Sequence, residues 1–237
     1  NHLTGAISAE RTSTGTTGLV DLKTGEWCPD LIAGVGLRQD QLPLIERPGR
    51  RLGSWHGVPV HLVAGHDTAS AVAALPPTNA AGRVFVSSGT WMLVGVERPD
   101  ADVSESARRA NFSNEQGARG GIRFLKNVMG LWMLESCRAA WDSAPLEPLL
   151  EQAAACPGGP IVDSFSPRFL APADMEGEIK QAAALDPNAS RGEVVRCILD
   201  SLAAAVARVV DELGSFVAGP LTEISVIGGG SRNQLLN

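Results

Sequence analysis

The stretch GVPVHLVAGHDTASAVAAL, residues 57–75, changes character at its middle. Its first part, GVPVHLVAG, is valine-rich and bounded by glycines, and reads as a buried strand. The second part, DTASAVAAL, predicts a helix whose alanines let it pack closely on a sheet. Asp67 stands at the seam, after the carboxyl end of that strand and at the amino end of that helix. In open α/β sheets, ligands collect in the crevice at this end of the strands. The helix dipole favours a carboxylate there, ionised and able to accept a proton. The plainer reading of Asp67 is an N-cap.

Working outward, TTGLVDLKTGEW (16–27) reads as two short β runs about the turn Lys23-Thr24-Gly25. RVFVSSGTWMLVGVE (83–97) reads as strand, interruption and strand, and LTEISVIGGG (221–230) as a strand closed by glycines. Between them, Val195, Ile198, Leu199, Leu202, Val206, Val209 and Leu213 recur at spacings of three and four. Ser190 and Glu193 form a capping box ahead of this helix. Ile122, Leu125, Met129, Trp132 and Ser136 predict another helix. Strands alternating with helices make an α/β protein. PPTNAAG (76–82) predicts a linker, because consecutive prolines and turn residues extend neither neighbour; it divides the chain into residues 1–78 and 79–237.

Composition narrows the partners. The 237 residues are 44% hydrophobic, enough for a core, and the formal charge of −6 argues against a nucleic-acid surface, which draws its affinity from clustered Lys and Arg. No run approaches the length of a membrane span, and no basic-then-apolar leader is present. Cys28, Cys137, Cys156 and Cys197 are widely spaced without C-x-x-C, which predicts reduced thiols and a cytoplasmic setting. The N-x-S sequons at Asn111 and Asn188 then read as chance matches. A start without methionine (NHLTG) and an end inside a helix turn (GGGSRNQLLN) predict a fragment.

Two more segments join Asp67 as candidate chemistry. SSGT (87–90) sets hydroxyls around a glycine, so a turn there can offer amides and a hydroxyl to phosphate oxygens, or be a plain β-turn. VIGGGSRN (226–233) carries a strand into a helix start through three glycines, where exposed amides suit an anion or nucleotide. It is neither G-x-G-x-x-G nor a P-loop. His56, His61 and His66 share a five-residue spacing that points alternate rings to opposite faces of a strand, which argues against a shared metal. Trp91, Trp132 and Trp141 read as core or pocket wall.

In order along the chain, GHDTASAV, SSGTWMLVG, NFSNEQGARGGIRFLKNVMGLWMLE, PRFLAPADM and VIGGGSRNQLLN resemble the rhamnulokinases, a branch of the FGGY carbohydrate kinases. The likeness runs through essentially the whole chain, and His-Asp-Thr with LKNVMGLW resembles the rhamnulose kinases more closely than the xylulose or glycerol kinases. It implies an actin/hexokinase-like fold of two RNase H-like domains, mixed sheets flanked by helices, with a catalytic cleft between them. Residues 1–78 would be the later part of the sugar-binding domain, and 79–237 the nucleotide-binding domain short of its end. The leading portion, absent here, would carry the phosphate loop and much of the sugar pocket, so the fragment is not expected to turn over alone.

The same resemblance assigns roles. Asp67 corresponds to the catalytic base, with His66, Thr68 and Asn127 touching the ketose. Thr90 and one of Gly228, Gly229 and Gly230, with Gly229 and Gly230 foremost, correspond to nucleotide contacts, and ATP with Mg²⁺ completes the reaction. Glu135 departs from the pattern, since relatives commonly carry Gln at this nucleotide contact; a carboxylate there repels polyphosphate. Met92 stands where a small hydroxyl residue is frequent and reads as pocket wall. The expected reaction is phosphorylation of L-rhamnulose at its C1 hydroxyl. The alternatives are a kinase for another sugar, of fuculose or xylulose type, and a non-catalytic sugar- or nucleotide-binding relative, for which Glu135 is the hint. Oligomeric state has no sequence signal.

Overall fold

The computed structural model describes residues 2–76 and 82–237. From the amino end come β1 (Ala9–Glu10), α1 (Arg11–Thr14), α2 (Pro29–Gly34), β2 (Ile45–Glu46), β3 (Arg51–Trp55), β4 (Val58–His61) and α3 (Asp67–Ala73). Next come β5 (Arg83–Ser88), β6 (Trp91–Arg98), α4 (Glu105–Arg109), β7 (Ser113–Gln116) and β8 (Ile122–Met129). The rest is α5 (Trp132–Ala140), α6 (Leu146–Ala155), α7 (Met175–Ala182), α8 (Arg191–Leu213) and β9 (Glu223–Ile227). A five-stranded mixed sheet has the order β7-β8-β6-β5-β9, with β7 antiparallel to β8 and β9 parallel to β5. The chain forms two compact units, Asn1–Asn79 with Val96–Leu125, and Ala80–Gly95 with Lys126–Asn237. Residues 77–81, on which the sequence sets its linker and its 78/79 boundary, lie outside the described residues.

In the first unit, α3 forms where the alanine-rich run predicts it, and buries Thr68, Ala69 and Val72. The valine-rich segment before it is not a buried strand. Only Val58–His61 is extended, and it is the second arm of an exposed two-stranded hairpin with β3. Positive φ at His56 and Gly57 makes the two-residue turn that joins the arms, and Pro59, which cannot donate, suits an edge. Residues 62–66 reach α3 without regular structure. The pair of β runs expected around Lys23-Thr24-Gly25 contracts to one bridge, Val20 to Trp27, while the Asp21 carboxylate accepts from the Lys23 and Thr24 amides.

In the second unit, the hairpin of β5 and β6 turns at Gly89 and Thr90, as the Ser-Ser-Gly interruption predicts. Helix α8 spans Arg191–Leu213 behind the Ser190/Glu193 capping box. Of its predicted apolar stripe, all but Val206 are buried; at roughly 1.5–3 kcal/mol per fully buried aliphatic side chain, this stripe is a principal stabiliser of the unit. Helix α6 packs along it. Met92 is buried and lines a cavity of ≈ 460 Å³ with Val86, Val206, Val210 and Val226, the wall position expected for it.

The helix expected through residues 122–136 is overturned in its first half. Ile122–Met129 is a strand, and only Trp132–Ala140 is helical. All but Asn127 of β8 is buried, so the in-out alternation of a half-buried strand is missing and the apolar residues fall into a chance helical spacing. Trp141 is core, whereas Trp91 is 45% exposed, which removes the core half of the reading for it. Among the described residues, no helix is long and apolar enough to cross a membrane.

Candidate active site

The first unit gathers its candidates at the start of α3. His66, not Asp67, is the N-cap: its Nδ1 accepts the Ala69 amide at 3.3 Å. This frees Asp67 from the capping role the plainer reading gives it. Asp67 is exposed, and its Oδ1 accepts from the amide and hydroxyl of Thr68 at 2.6 and 3.3 Å. Oδ2 has no hydrogen-bond partner among the described residues. Thr68 itself is buried.

Side chains that sequence reasoning passes over hold this seam in place. Glu10, 8% exposed, caps α1 and accepts from Thr12 N and Ser13 N, from the Thr12 hydroxyl, and across the unit from the Gly65 amide at 2.8 Å. Burial by itself raises its carboxyl, but those hydrogen bonds, with the Thr12 hydroxyl foremost, outweigh burial and hold it below the usual glutamate range. Thr12 Oγ1 in turn accepts the His66 amide at 3.1 Å. Gly65 packs close to α1: a Cβ there would lie 2.5 Å from Ser13 Oγ, which would have to turn away. On the other side stands Arg123, its side chain 0% exposed, donating to Glu115 Oε2 at 2.7 Å and to His66 Nδ1 at 3.2 Å. Burial draws its guanidinium below the usual arginine range, while the charges of Glu115, Glu97 and Asp67 oppose that shift. An arginine inside the apolar run IRFLKNVM and a glutamate opening ERTST are the signals that could have exposed both.

The second unit gathers the candidates for phosphate. The β5–β6 turn is tied to the start of α5 by Leu131 N donating to Gly89 O and Trp132 N donating to Thr90 O, both at 3.0 Å. Thr90 is exposed and its hydroxyl has no partner among the described residues. The glycine run after β9 packs on the end of β5. A Cβ at Gly228, whose φ is +88°, would lie 2.6 Å from Ser88 O, and one at Gly230 would overlap the Ser88 side chain. Gly229 meets nothing within 4 Å. Gly228 and Gly230 are thus glycine for packing, and Gly229 is the one that faces open space.

Glu135 lies one turn into α5, 48% exposed, and Arg138 Nη1 donates to both its oxygens at 2.7 and 2.8 Å. The lone negative charge expected there is half of an ion pair. Asn127 is the exposed position of β8 and its side chain has no partner among the described residues. The structure therefore brings His66, Asp67 and Thr68 together in one unit, and Thr90 with the start of α5 in the other. His56 and His61 belong to the β3–β4 hairpin, apart from the α3 cap formed by His66. All four cysteines are free, and burial pushes the Cys137 thiol up to about 12, which removes it as a nucleophile at neutral pH.

Comparison with known proteins follows the same lines. The sequence model of the FGGY family of carbohydrate kinases, C-terminal domain, matches residues 84–237. The chain is 37% identical over 249 residues to a rhamnulokinase of Bacteroides thetaiotaomicron, covering 99% of this chain and 51% of the relative. To a rhamnulokinase of Klebsiella pneumoniae it is 38% identical over 246 residues, covering 100% and 50%. The chain thus spans about half the length of the curated relatives it matches. Among solved structures, a xylulose kinase from Rhodospirillum rubrum superposes with a TM-score of 0.71 at 20% identity, over 99% of this chain and 50% of that one. A glycerol kinase from Plasmodium falciparum, solved with ADP, gives 0.69 at 16%, over 99% and 49%. At these identities the likeness shows the fold, the actin/hexokinase-like architecture of mixed sheets flanked by helices.

Proposed function

The chain belongs to the FGGY family of carbohydrate kinases, and on that premise we propose that it supplies part of an ATP-dependent ketose kinase acting on the C1 hydroxyl of L-rhamnulose. The observation that carries the reading is the free Oδ2 of an exposed Asp67 on a seam braced from both sides by Glu10 and Arg123. Phosphoryl transfer needs little covalent chemistry from a protein: an in-line approach, charge neutralisation and removal of the alcohol proton. Asp67 orients the sugar hydroxyl and takes its proton. His66 contacts another sugar oxygen, while Thr68 fixes the Asp67 carboxylate through its two hydrogen bonds.

In the second unit, the Thr90 hydroxyl and the backbone at Gly229 face the nucleotide, and Gly228 and Gly230 keep that turn close against β5. Residues 1–78 are read as sugar-binding and 79–237 as nucleotide-binding. Mg²⁺ would be held by the nucleotide phosphates, since among the described residues no group of three His, Cys, Asp or Glu could hold a metal ion. When bound, the ion neutralises charge on the transferring oxygens. The free thiols accord with a cytoplasmic enzyme. Activity belongs to a protein of the relatives' full length, and these 237 residues alone are expected to be inactive.

The test is ATP consumption by the full-length protein across a panel of ketoses, with Asp67→Asn alongside. Preference for L-rhamnulose, abolished in the variant with sugar binding retained, supports the reading. Equal turnover of several ketoses removes the rhamnulose assignment. Sugar binding without any turnover favours the non-catalytic relative suggested by Glu135.

A further inference from the structure

The seam carries a protonation pattern that geometry alone fixes. Two groups aim at the same ring nitrogen: the Ala69 amide lies 3.3 Å and Arg123 Nη2 lies 3.2 Å from His66 Nδ1. A backbone N–H and a guanidinium are donors only and never accept. Nδ1 therefore presents its lone pair to both, and the proton of the imidazole resides on Nε2. Arg123 is a costly way to make this arrangement. Its side chain is fully buried, and its Nε and Nη1 have no partner among the described residues. Its only described hydrogen bonds go to Glu115 and to His66. A buried charge is weak evidence for stability, because an apolar pair of similar volume often serves the fold as well. What an apolar pair cannot do is set the tautomer of a neighbouring histidine.

We infer that Arg123 is a positioning residue that locks His66 in its Nε2–H tautomer, so that His66 meets the substrate as a hydrogen-bond donor and Asp67 is left as the sole proton acceptor of the pair. The tautomer rests on the geometry; its consequence for the sugar rests on the kinase reading above. With the proton on Nδ1 instead, Nε2 would offer a lone pair that competes with Asp67 for the hydroxyl proton. It would also withdraw a donor from the sugar oxygen. Arg123 acts on the ring at Nδ1 and Glu115 on Arg123, so neither is a catalytic residue.

Long-range ¹H–¹⁵N correlation of the imidazole in the ¹⁵N-labelled full-length protein reads the tautomer directly. The expected spectrum shows a bare, pyridine-type Nδ1 and a protonated, pyrrole-type Nε2. A protonated Nδ1 in the unmodified protein overturns the inference, whatever any variant does. Arg123→Met, made together with Glu115→Met so that no carboxylate is left without its partner, is expected to mix the two tautomers. It should raise the ketose KM about 5- to 10-fold, the loss of one hydrogen bond, and leave the nucleotide KM unchanged. A folded double variant that keeps the Nε2–H tautomer and an unchanged ketose KM also overturns it. Should no ketose bind while the tautomer still follows Arg123, the kinase reading fails and the assignment of the tautomer stands.

Discussion

In the first unit, the seam before α3 is held by side chains: Glu10 gathers five donors, Thr12 takes the His66 amide, and Arg123 reaches the His66 ring. In the second unit, the turn after β9 is held by having no side chains, since Gly228 and Gly230 rest directly on Ser88. Both devices leave a few groups free, Oδ2 of Asp67 on one hand and the backbone at Gly229 on the other. A braced carboxylate suits a proton transfer that needs one atom in one place. A bare glycine turn suits a polyphosphate, which spreads its charge over many oxygens and needs close backbone approach. The first device is sensitive to charge and pH, and the second to volume.

Each half of that contrast can be broken separately. The largest effect is expected at the acceptor itself. Asp67→Asn should lower kcat about 10² to 10⁴-fold while the sugar dissociation constant changes little, as steady-state rates and calorimetric binding would report. A proportional loss of binding would instead make Asp67 a sugar contact.

Volume comes next. Gly228→Ala should cost about 1–3 kcal/mol of stability, from a positive φ and a Cβ against a backbone carbonyl, whereas Gly229→Ala should stay within about 0.5 kcal/mol and act on nucleotide affinity. Urea midpoints beside nucleotide titrations separate the two; equal destabilisation would refute the division of labour among the glycines.

Glu10 tests the charge side. Its carboxyl is held below its ordinary 4.5, so its contribution is complete above that range and is lost as pH falls through the lowered folded value. Glu10→Gln is expected to cost about 1–2 kcal/mol at neutral pH and to flatten the acid limb of the stability curve. Denaturation across pH checks both, and an unchanged acid limb would remove Glu10 as the brace. The smallest effect is expected at Glu135→Gln. Removing one exposed charge from an ion pair with Arg138 should lower the nucleotide KM about two- to fivefold.

Much of this was legible before any coordinates. Ser190 and Glu193 with an unbroken apolar stripe fix α8, because capping and 3.6-residue periodicity are local and both lie within one segment. The interrupted run at Ser87–Thr90 reads correctly as a hairpin for the same reason. Where burial is decided by distant neighbours, local pattern misleads. IRFLKNVM is covered on both faces and loses the alternation that marks a strand, while VPVHL has the composition of a buried strand but, among the described residues, no strand partner beyond β3.

The site divides along the same line. Sequence by itself determined that a carboxylate stands at the start of α3, that hydroxyls bracket a tight turn, and that three glycines end a strand, since each is a matter of adjacent residues. Only the tertiary structure decided that His66 rather than Asp67 caps the helix, which glycine is free, and that Glu10 and Arg123, 55 and 57 residues from their partners along the chain, brace the seam. A hydrogen bond between residues so far apart exists only once folding has brought them within about 3 Å, and no spacing along the chain encodes that distance.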